Sequence, residues 1–492
     1  MMLGSFYLAC SYWFALVTLI KNAQWRWILA FTILLSSMVY VKDSLFFSYL
    51  LLIGIIAYKN LFNKKLEDTP LIKWFFLFAP LGLLVLIKCS FIMISFFTMM
   101  SCALFFMIYQ KRKIACITVL APISTMLFFW IFSGQSLFNL PSYLVNSVYF
   151  IFVFTEAMAK DGNGYEIILY LIACATLLFL IYKQKDDSPP AKLFLYILVS
   201  VFLFLSFKTG FTRHNHAIIA GTSILISSLL TPFFIQPSKL RLIVVIISGS
   251  IGLFITGQYR GLSIKDNLVS TYSSSWYGLT SRIKEHHWLK RNFELIMEFQ
   301  RVKASIPIMQ GSTDIYSYEQ TYLIASGNNW SPRPVFQSYS TFSPLLAEKN
   351  KVYLESSHRP DNIIFRVEPI DERVPSLEDG ASWPLLIKNY MPIRQDNHFL
   401  YLRKANKFKV ALTPLTDETH YLGEVVTVPD TNDFLFITLD LQPSWLGFFN
   451  TIFYKIGQLE IIYELENGSK VHYRLSANMA KSNFLLSPLI EN

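Results

Sequence analysis

From Gly4 to Thr256 the chain is a series of long apolar runs cut by short polar or charged breaks. After residue 256 the pattern changes to short alternations and amphipathic stretches. A helix needs about 20 apolar residues to cross a bilayer core. Runs of that kind lie at 4–20, 27–41, 45–62, 72–87, 90–109, 114–133, 165–182, 193–207, 217–235 and 240–256. They predict a helical polytopic domain of about ten spans. The break at 134–164 is longer. Its middle, Tyr143 to Phe154, carries Tyr149, Phe150, Phe152 and Phe154. That composition suits a helix in the membrane interface or a re-entrant segment, and equally a plain amphipathic connector.

The second half reads differently. From Arg260 to about Ser305, Ile283, Trp288, Phe293, Ile296 and Phe299 recur at helical spacing. Strands are expected at Ile306–Met309, Asn362–Val367 and Phe399–Leu402, with helices near 317–327 and 381–390. After Lys407 only strands are expected: Lys409–Leu412, Leu422–Val428, Phe434–Leu441, Gln458–Leu465 and Lys470–Leu475, with a hairpin turn at Asn467-Gly468. The pattern predicts three parts. A transmembrane helical domain spans 1–256, an α/β subdomain 257–406, and an antiparallel β-sandwich of jelly-roll type 407–492.

Charge orients the membrane half. The net charge is +10. Residues 1–256 hold 19 Lys and Arg against 8 Asp and Glu, while the remainder holds 24 against 25. The basic character belongs to membrane loops, so nucleic acid is not an expected partner. Alternate loops divide the basic residues of the membrane half into fourteen and five. The richer side, with Lys59, Lys73, Lys111, Arg112, Lys113, Lys183 and Lys239, is expected to be cytoplasmic. The N-terminus, the Lys208–His216 turn and everything after 256 then lie outside. This predicts a multi-pass protein of the bacterial cytoplasmic membrane with a periplasmic C-terminal part. Met1–Ile20 has no basic n-region and no small-residue cleavage site, so it does not read as a signal peptide. A chain that starts outside suggests that an upstream span and its outer loop are missing. All five cysteines fall in the apolar half without metal-ligand or disulfide spacing.

Candidate chemistry sits in the outer loops. Ionisable groups at membrane depth are costly without a use or a partner. Arg213 and Lys208 suit a phosphate, and Glu156 lies in a neighbouring outer loop. His214 and His216 suit proton transfer, and Asp43 suits a general base. His-x-His leaves room for a divalent cation, but two ligands do not make a metal site. Each of these residues also has a structural reading as a solvated span end or a helix cap. In the second half, Pro332 and Pro334 fix an extended backbone around Arg333. That presents Arg333, Gln337 and Tyr339 to an anionic or sugar ligand, or makes a rigid connector. No phosphate-binding glycine loop, dinucleotide fingerprint, zinc-protease motif or nucleophile elbow is present in the sequence.

Four stretches carry a resemblance: Phe207-Lys208-Thr209-Gly210-Phe211-Thr212-Arg213-His214, Glu156-Ala157-Met158, Arg333-Pro334-Val335-Phe336-Gln337-Ser338-Tyr339 and Ile370-Asp371-Glu372-Arg373-Val374-Pro375. Together they resemble a group of bacterial multi-span proteins that is itself similar to the C-type glycosyltransferase superfamily. Protein O-mannosyltransferases and lipid A aminoarabinose transferases belong to that superfamily. The resemblance implies transfer of a sugar from a polyprenyl-phosphate donor to a saccharide or lipid acceptor at the outer face of the membrane. The superfamily's catalytic carboxylate usually sits in the first outer loop, after a span with a cytoplasmic N-terminus. This chain departs from that plan, so Asp43 is not clearly the equivalent residue and the chain is expected to be truncated, with inactivity an open alternative. Two other readings remain open. One is a non-enzymatic membrane-anchored module for surface polysaccharide binding or assembly, and the other is a polysaccharide polymerase or ligase.

Overall fold

The computed structural model describes residues 2–20, 42–62, 70–184, 188–260, 264–316, 318–405 and 410–490. The run at 27–41 lies outside them. The protein is mostly helical, with small sheets confined to its C-terminal region. It divides into two compact units. The first is Met1–Gly278 with Phe449–Lys455, and the second is Leu279–Phe448 with Ile456–Asn492.

The first unit is a helix bundle. Its helices are α1 (Met2–Leu19), α2 (Lys42–Phe62), α3 (Leu71–Phe78), α4 (Pro80–Ile87), α5 (Ser90–Ile108), α6 (Arg112–Phe132), α7 (Leu140–Ala157), α8 (Gly164–Lys183), α9 (Pro189–Phe211), α10 (Ala217–Leu230) and α11 (Lys239–Tyr259). Among the described residues, eight helical segments are long and apolar enough to cross a membrane, and two shorter apolar ones lie at Phe6–Leu19 and Leu71–Ile87. Composition and length therefore make this a multi-pass membrane protein. Small residues allow close helix contacts, as expected where lipid offers no hydrophobic drive for helix association. Gly252 of α11 lies against the backbone of α10, where a Cβ would come within 2.8 Å of the Gly221 carbonyl oxygen. One turn away, Ser228 and Ser248 share a 2.7 Å hydrogen bond.

Both ends of α7 are tied to the same end of the bundle. Near its start, Tyr143 donates to the Val85 carbonyl at 3.1 Å, and its ring lies tilted against Trp130 with centroids 5.1 Å apart. Just past its C-terminus, Met158 touches Arg213, and the Lys160 amide donates to the Thr212 carbonyl at 3.0 Å. Most of its surface is open, with Val145 70% and Phe152 66% exposed.

The second unit begins with α12 (Ile264–Lys284), whose last residues cross the boundary, and α13 (Trp288–Ala304). The single helical stretch expected from Arg260 to Ser305 breaks at Glu285-His286-His287. A five-stranded mixed sheet follows. Its strands are β1 (Ser312–Tyr316), β2 (Asn329–Trp330), β3 (Asn362–Phe365), β4 (Tyr390–Gln395) and β5 (Leu400–Lys404), in the order β2-β1-β3-β5-β4. β1 is parallel to β2 and β3, whereas β5 is antiparallel to β3 and β4. Helices α14 (Gln320–Ser326), α15 (Pro344–Glu355) and α16 (Trp383–Asn389) connect the strands.

Three expectations change here. Ile306–Met309 is not a strand; Pro307 lacks an amide hydrogen for a ladder, and pairing starts at Ser312. Among the described residues, neither Val410–Leu412 nor Leu422–Val428 joins a strand ladder, and Val425 is 87% exposed, because an alternating pattern makes a strand only beside a partner; Lys409 lies outside the described residues. The remaining strands form two separate antiparallel pairs among the described residues. These are β6 (Leu435–Ile437) with β9 (Phe484–Ser487), and the hairpin β7 (Leu459–Glu464) with β8 (Lys470–Leu475). Between β6 and β7 lies a helix where none was expected, α17 (Trp445–Phe453).

Candidate functional site at one end of the helix bundle

Asp43 opens α2 and forms an ion pair with Lys88, at the junction of α4 and α5. The next residue, Ser44, is fully buried and hydrogen bonds to Thr222 and to the Ile219 carbonyl, which brings the start of α2 against α10. Arg213 and His216 sit in the single helical turn between α9 and α10, both half-buried. His216 lies within electrostatic reach of Arg213, Lys88 and Asp43. Three of the expected site residues, Asp43, Arg213 and His216, are thus gathered with Lys88 at one end of the bundle. Glu156 is half-buried on the last turn of α7, two positions before the Met158 whose sulfur lies 3.8 Å from Arg213 Nη1.

His214 faces the other way. It is buried, with its Nε2 3.5 Å from the carboxylate of Glu166. Glu166, in the first turn of α8, is sealed from solvent. Its oxygens accept from the Tyr259 hydroxyl at 2.8 Å and from Asn163 Nδ2 at 3.4 Å. Gly162 makes the arrangement possible, since a Cβ there would stand 2.2 Å from the His214 ring. The backbone locks this corner as well: the His214 amide donates to the Lys160 carbonyl at 3.2 Å. Glu166 thus stands between a phenol that donates to it and an imidazole at ion-pair distance.

Two lysines close the site with a segment from far along the sequence. Lys208 Nζ donates to the carbonyls of Thr451 and Tyr454, both at 2.7 Å. Lys455, nearly buried, reaches Asp161 at 2.7 Å and the Lys160 carbonyl at 2.9 Å. Lys208, expected to hold phosphate, is occupied here in capping the end of α17. Tyr259 and Lys455 were not among the expected site residues. A charge-free block from Trp445 to Phe453 followed by Lys455, inside a half of ordinary composition, was the available signal for the last.

The other expected residues lie inside the second unit. Arg333 is buried. Its Nη2 donates to the Ile315 carbonyl and to Ser338 Oγ, both at 3.0 Å, and the guanidinium covers the Tyr316 ring at 4.5 Å. Its Nε stands 3.8 Å from both Asp314 and Asp379. Burial raises the Asp314 carboxyl above its usual range and pushes Asp379 up to about 7, with Arg333 opposing in each case. Gln337 accepts from the Tyr339 hydroxyl at 2.9 Å. The Tyr339 carbonyl accepts from the buried Arg373 at 3.1 Å. The Arg333–Tyr339 and Ile370–Pro375 stretches therefore meet each other, and these contacts hold a loop in shape.

Among the described residues, no group of three or more His, Cys, Asp or Glu side chains is placed to hold a metal ion. Comparison with protein-family models, with curated proteins and with solved structures finds no match.

Proposed function

We propose that this chain is a membrane glycosyltransferase-like protein of the C-type plan, acting on a polyprenyl-phosphate sugar at the outer face of a bacterial cytoplasmic membrane. The observation that carries the reading is the gathering of Asp43, Lys88, Arg213 and His216, from three separate breaks between apolar helices, at one end of the bundle. A lipid phosphate presents a doubly accepting anion at that depth. Arg213 and Lys88 supply cations, Arg213 with the forked geometry that matches phosphate. Asp43 and His216 are the groups positioned to take a proton from an acceptor hydroxyl.

The proposed topology keeps ten crossings, one of them at 27–41. It places α7 in the interface, because both its ends are held at the same end of the bundle. The basic residues of the opposite end, Lys59 and Lys111, would face the cytoplasm. The antiparallel pairs after residue 410 would belong to the periplasmic part, read as elements of the expected sandwich.

The test is a transfer assay in membranes holding the full chain. Radiolabelled polyprenyl-phosphate sugars would be supplied, and the wild type compared with Arg213→Ala. Loss of an enzyme's phosphate clamp costs about 10²-fold or more in rate. Equal transfer by the two proteins removes Arg213 and this mechanism. Absence of transfer together with retained polysaccharide binding favours the non-enzymatic module.

A further inference from the structure

We propose that α17, Trp445–Phe453, is an interfacial membrane anchor whose aromatic face inserts among lipid acyl chains at the end of the bundle that holds the candidate site. Its sequence, Trp-Leu-Gly-Phe-Phe-Asn-Thr-Ile-Phe, carries no charge. Trp445 and Leu446 are 82% and 81% exposed, and Phe448, Phe449 and Phe453 are about half exposed or more. A contiguous apolar patch of this kind is uncommon on a surface bathed in water. Nine residues span only about 14 Å as a helix, half of the ~30 Å hydrocarbon core, so the helix lies along the membrane rather than through it.

Position identifies the occupant. The C-terminal turn of α17 is held by Lys208, one turn from the end of the apolar helix α9. Lys455 then ties the chain to Lys160 and Asp161 at the same end. The Phe453 ring lies 6.4 Å from Phe204, which is partly exposed on the surface of α9. The aromatic surface of the C-terminal half of α17, Phe449 to Phe453, therefore continues the outward apolar surface of a membrane-crossing helix. Both are bathed by the same solvent, which at that level is the boundary between headgroups and acyl chains. Trp at one end and Lys at the other suit that boundary, where an apolar body and a polar tip are both satisfied. The proposal needs α9 to cross the membrane but is independent of sugar transfer.

The experiment uses the full chain in nanodiscs of phosphatidylcholine and phosphatidylglycerol. A ketone-bearing amino acid placed at position 446 or, separately, 449 accepts a nitroxide and leaves the five native cysteines in place. Collision with oxygen, which concentrates in lipid, is compared with collision with a water-soluble nickel chelate. Reference labels go at Ile123, outward on α6, and at Asn467, in the β7–β8 turn. The expected result is oxygen-dominated relaxation at 446 and 449, shifted towards the Ile123 value. Nickel-dominated relaxation like that at Asn467 places the helix in water and overturns the proposal. Exclusion of both reagents means that a second copy or another protein covers the face, and overturns it as well. Because both positions are open, either label alone decides the matter if the other variant fails to fold.

Discussion

Burial of two carboxylates beside one guanidinium makes a quantitative prediction for the second unit. Asp314 and Asp379 both lie 3.8 Å from Arg333 Nε, and all three side chains are sealed from water. Ionising both acids leaves one uncompensated negative charge, so the cluster retains a proton. Asp379, with its carboxyl pushed from 3.8 to about 7, is the main site of that proton. Between those values the folded protein holds a proton that the unfolded chain has released. The unfolded state then binds fewer protons, so stability falls as pH rises from about 4 to about 7 and is level above that. Roughly three units at ~1.4 kcal/mol each give a loss of up to about 4 kcal/mol. Asp379→Asn removes the ionisation while keeping the shape. Asn is among the few residues that accept the left-handed backbone found here (φ 57°), and its amide oxygen replaces the acceptor for Asn350 Nδ2, now at 3.0 Å. Near pH 4 the two proteins should be about equally stable. By pH 8 the variant should lead by up to ~4 kcal/mol, or about three decades in the opening equilibrium. Hydrogen exchange of the β1 amides, with both proteins run side by side at each pH, reads that ratio with the intrinsic rates cancelled. A ratio that stays constant between pH 4 and 8, or that moves in favour of the wild type, refutes the reasoning. Glu378, pushed up to about 7 by burial with Arg373 opposing, adds a slope of the same sign to both proteins and drops out of the comparison.

Three further outcomes follow from the bundle. Gly162→Ala forces a methyl into the His214 ring and should cost about 1–3 kcal/mol, read as a lower unfolding temperature of the detergent-purified chain. Gly252→Leu meets backbone of α10 that cannot yield, and should sharply reduce the monodisperse fraction in size-exclusion chromatography. Lys455→Ala breaks the ties to Asp161 and Lys160; since Asp161 is 70% exposed the loss should be only about 1 kcal/mol, visible as faster protease cleavage near α17 with the bundle intact.

The apolar helices were legible because a spanning segment must satisfy its backbone internally and be apolar throughout, and both demands are written in consecutive residues. The meeting of Asp43 with Arg213 and His216 was legible only as a set of ionisable groups at the same ends of alternate runs. The Glu166–Tyr259 bond joins residues 93 apart, and Lys455 meets Lys160 across 295, with no local pattern to announce either. In the second unit, β1 reads Ser-Thr-Asp-Ile-Tyr, so its polar positions hid a central strand. Asp314 belongs there because Arg333 waits opposite it, and that partner lies in a loop nineteen positions later. The stretch around Arg333 drew notice for its rigid prolines, and the rigidity serves an internal ion cluster.

The contrast between these two sets of buried charge bears on where a ligand would bind. Around Arg333 the compensating acids, the Tyr316 ring and the carbonyl acceptors all come from the same unit, and the guanidinium is fully enclosed. Breaking such a set exposes an unpaired charge in a dry place, at a cost of about 3–5 kcal/mol, so opening it for a substrate is unfavourable. At the bundle end, Lys88 and Arg213 keep part of their surface open, and Lys88 pairs with Asp43 where water reaches both. Exchanging a partner there costs about 1 kcal/mol or less, because a solvated pair is worth little to begin with. Any incoming anion would compete with a weak partner at the bundle end and with a strong one in the second unit. The difference in cost leaves the Asp43–Lys88–Arg213–His216 end the more open of the two to a ligand, and it makes the Arg333 loop a frame whose mutation should lower stability.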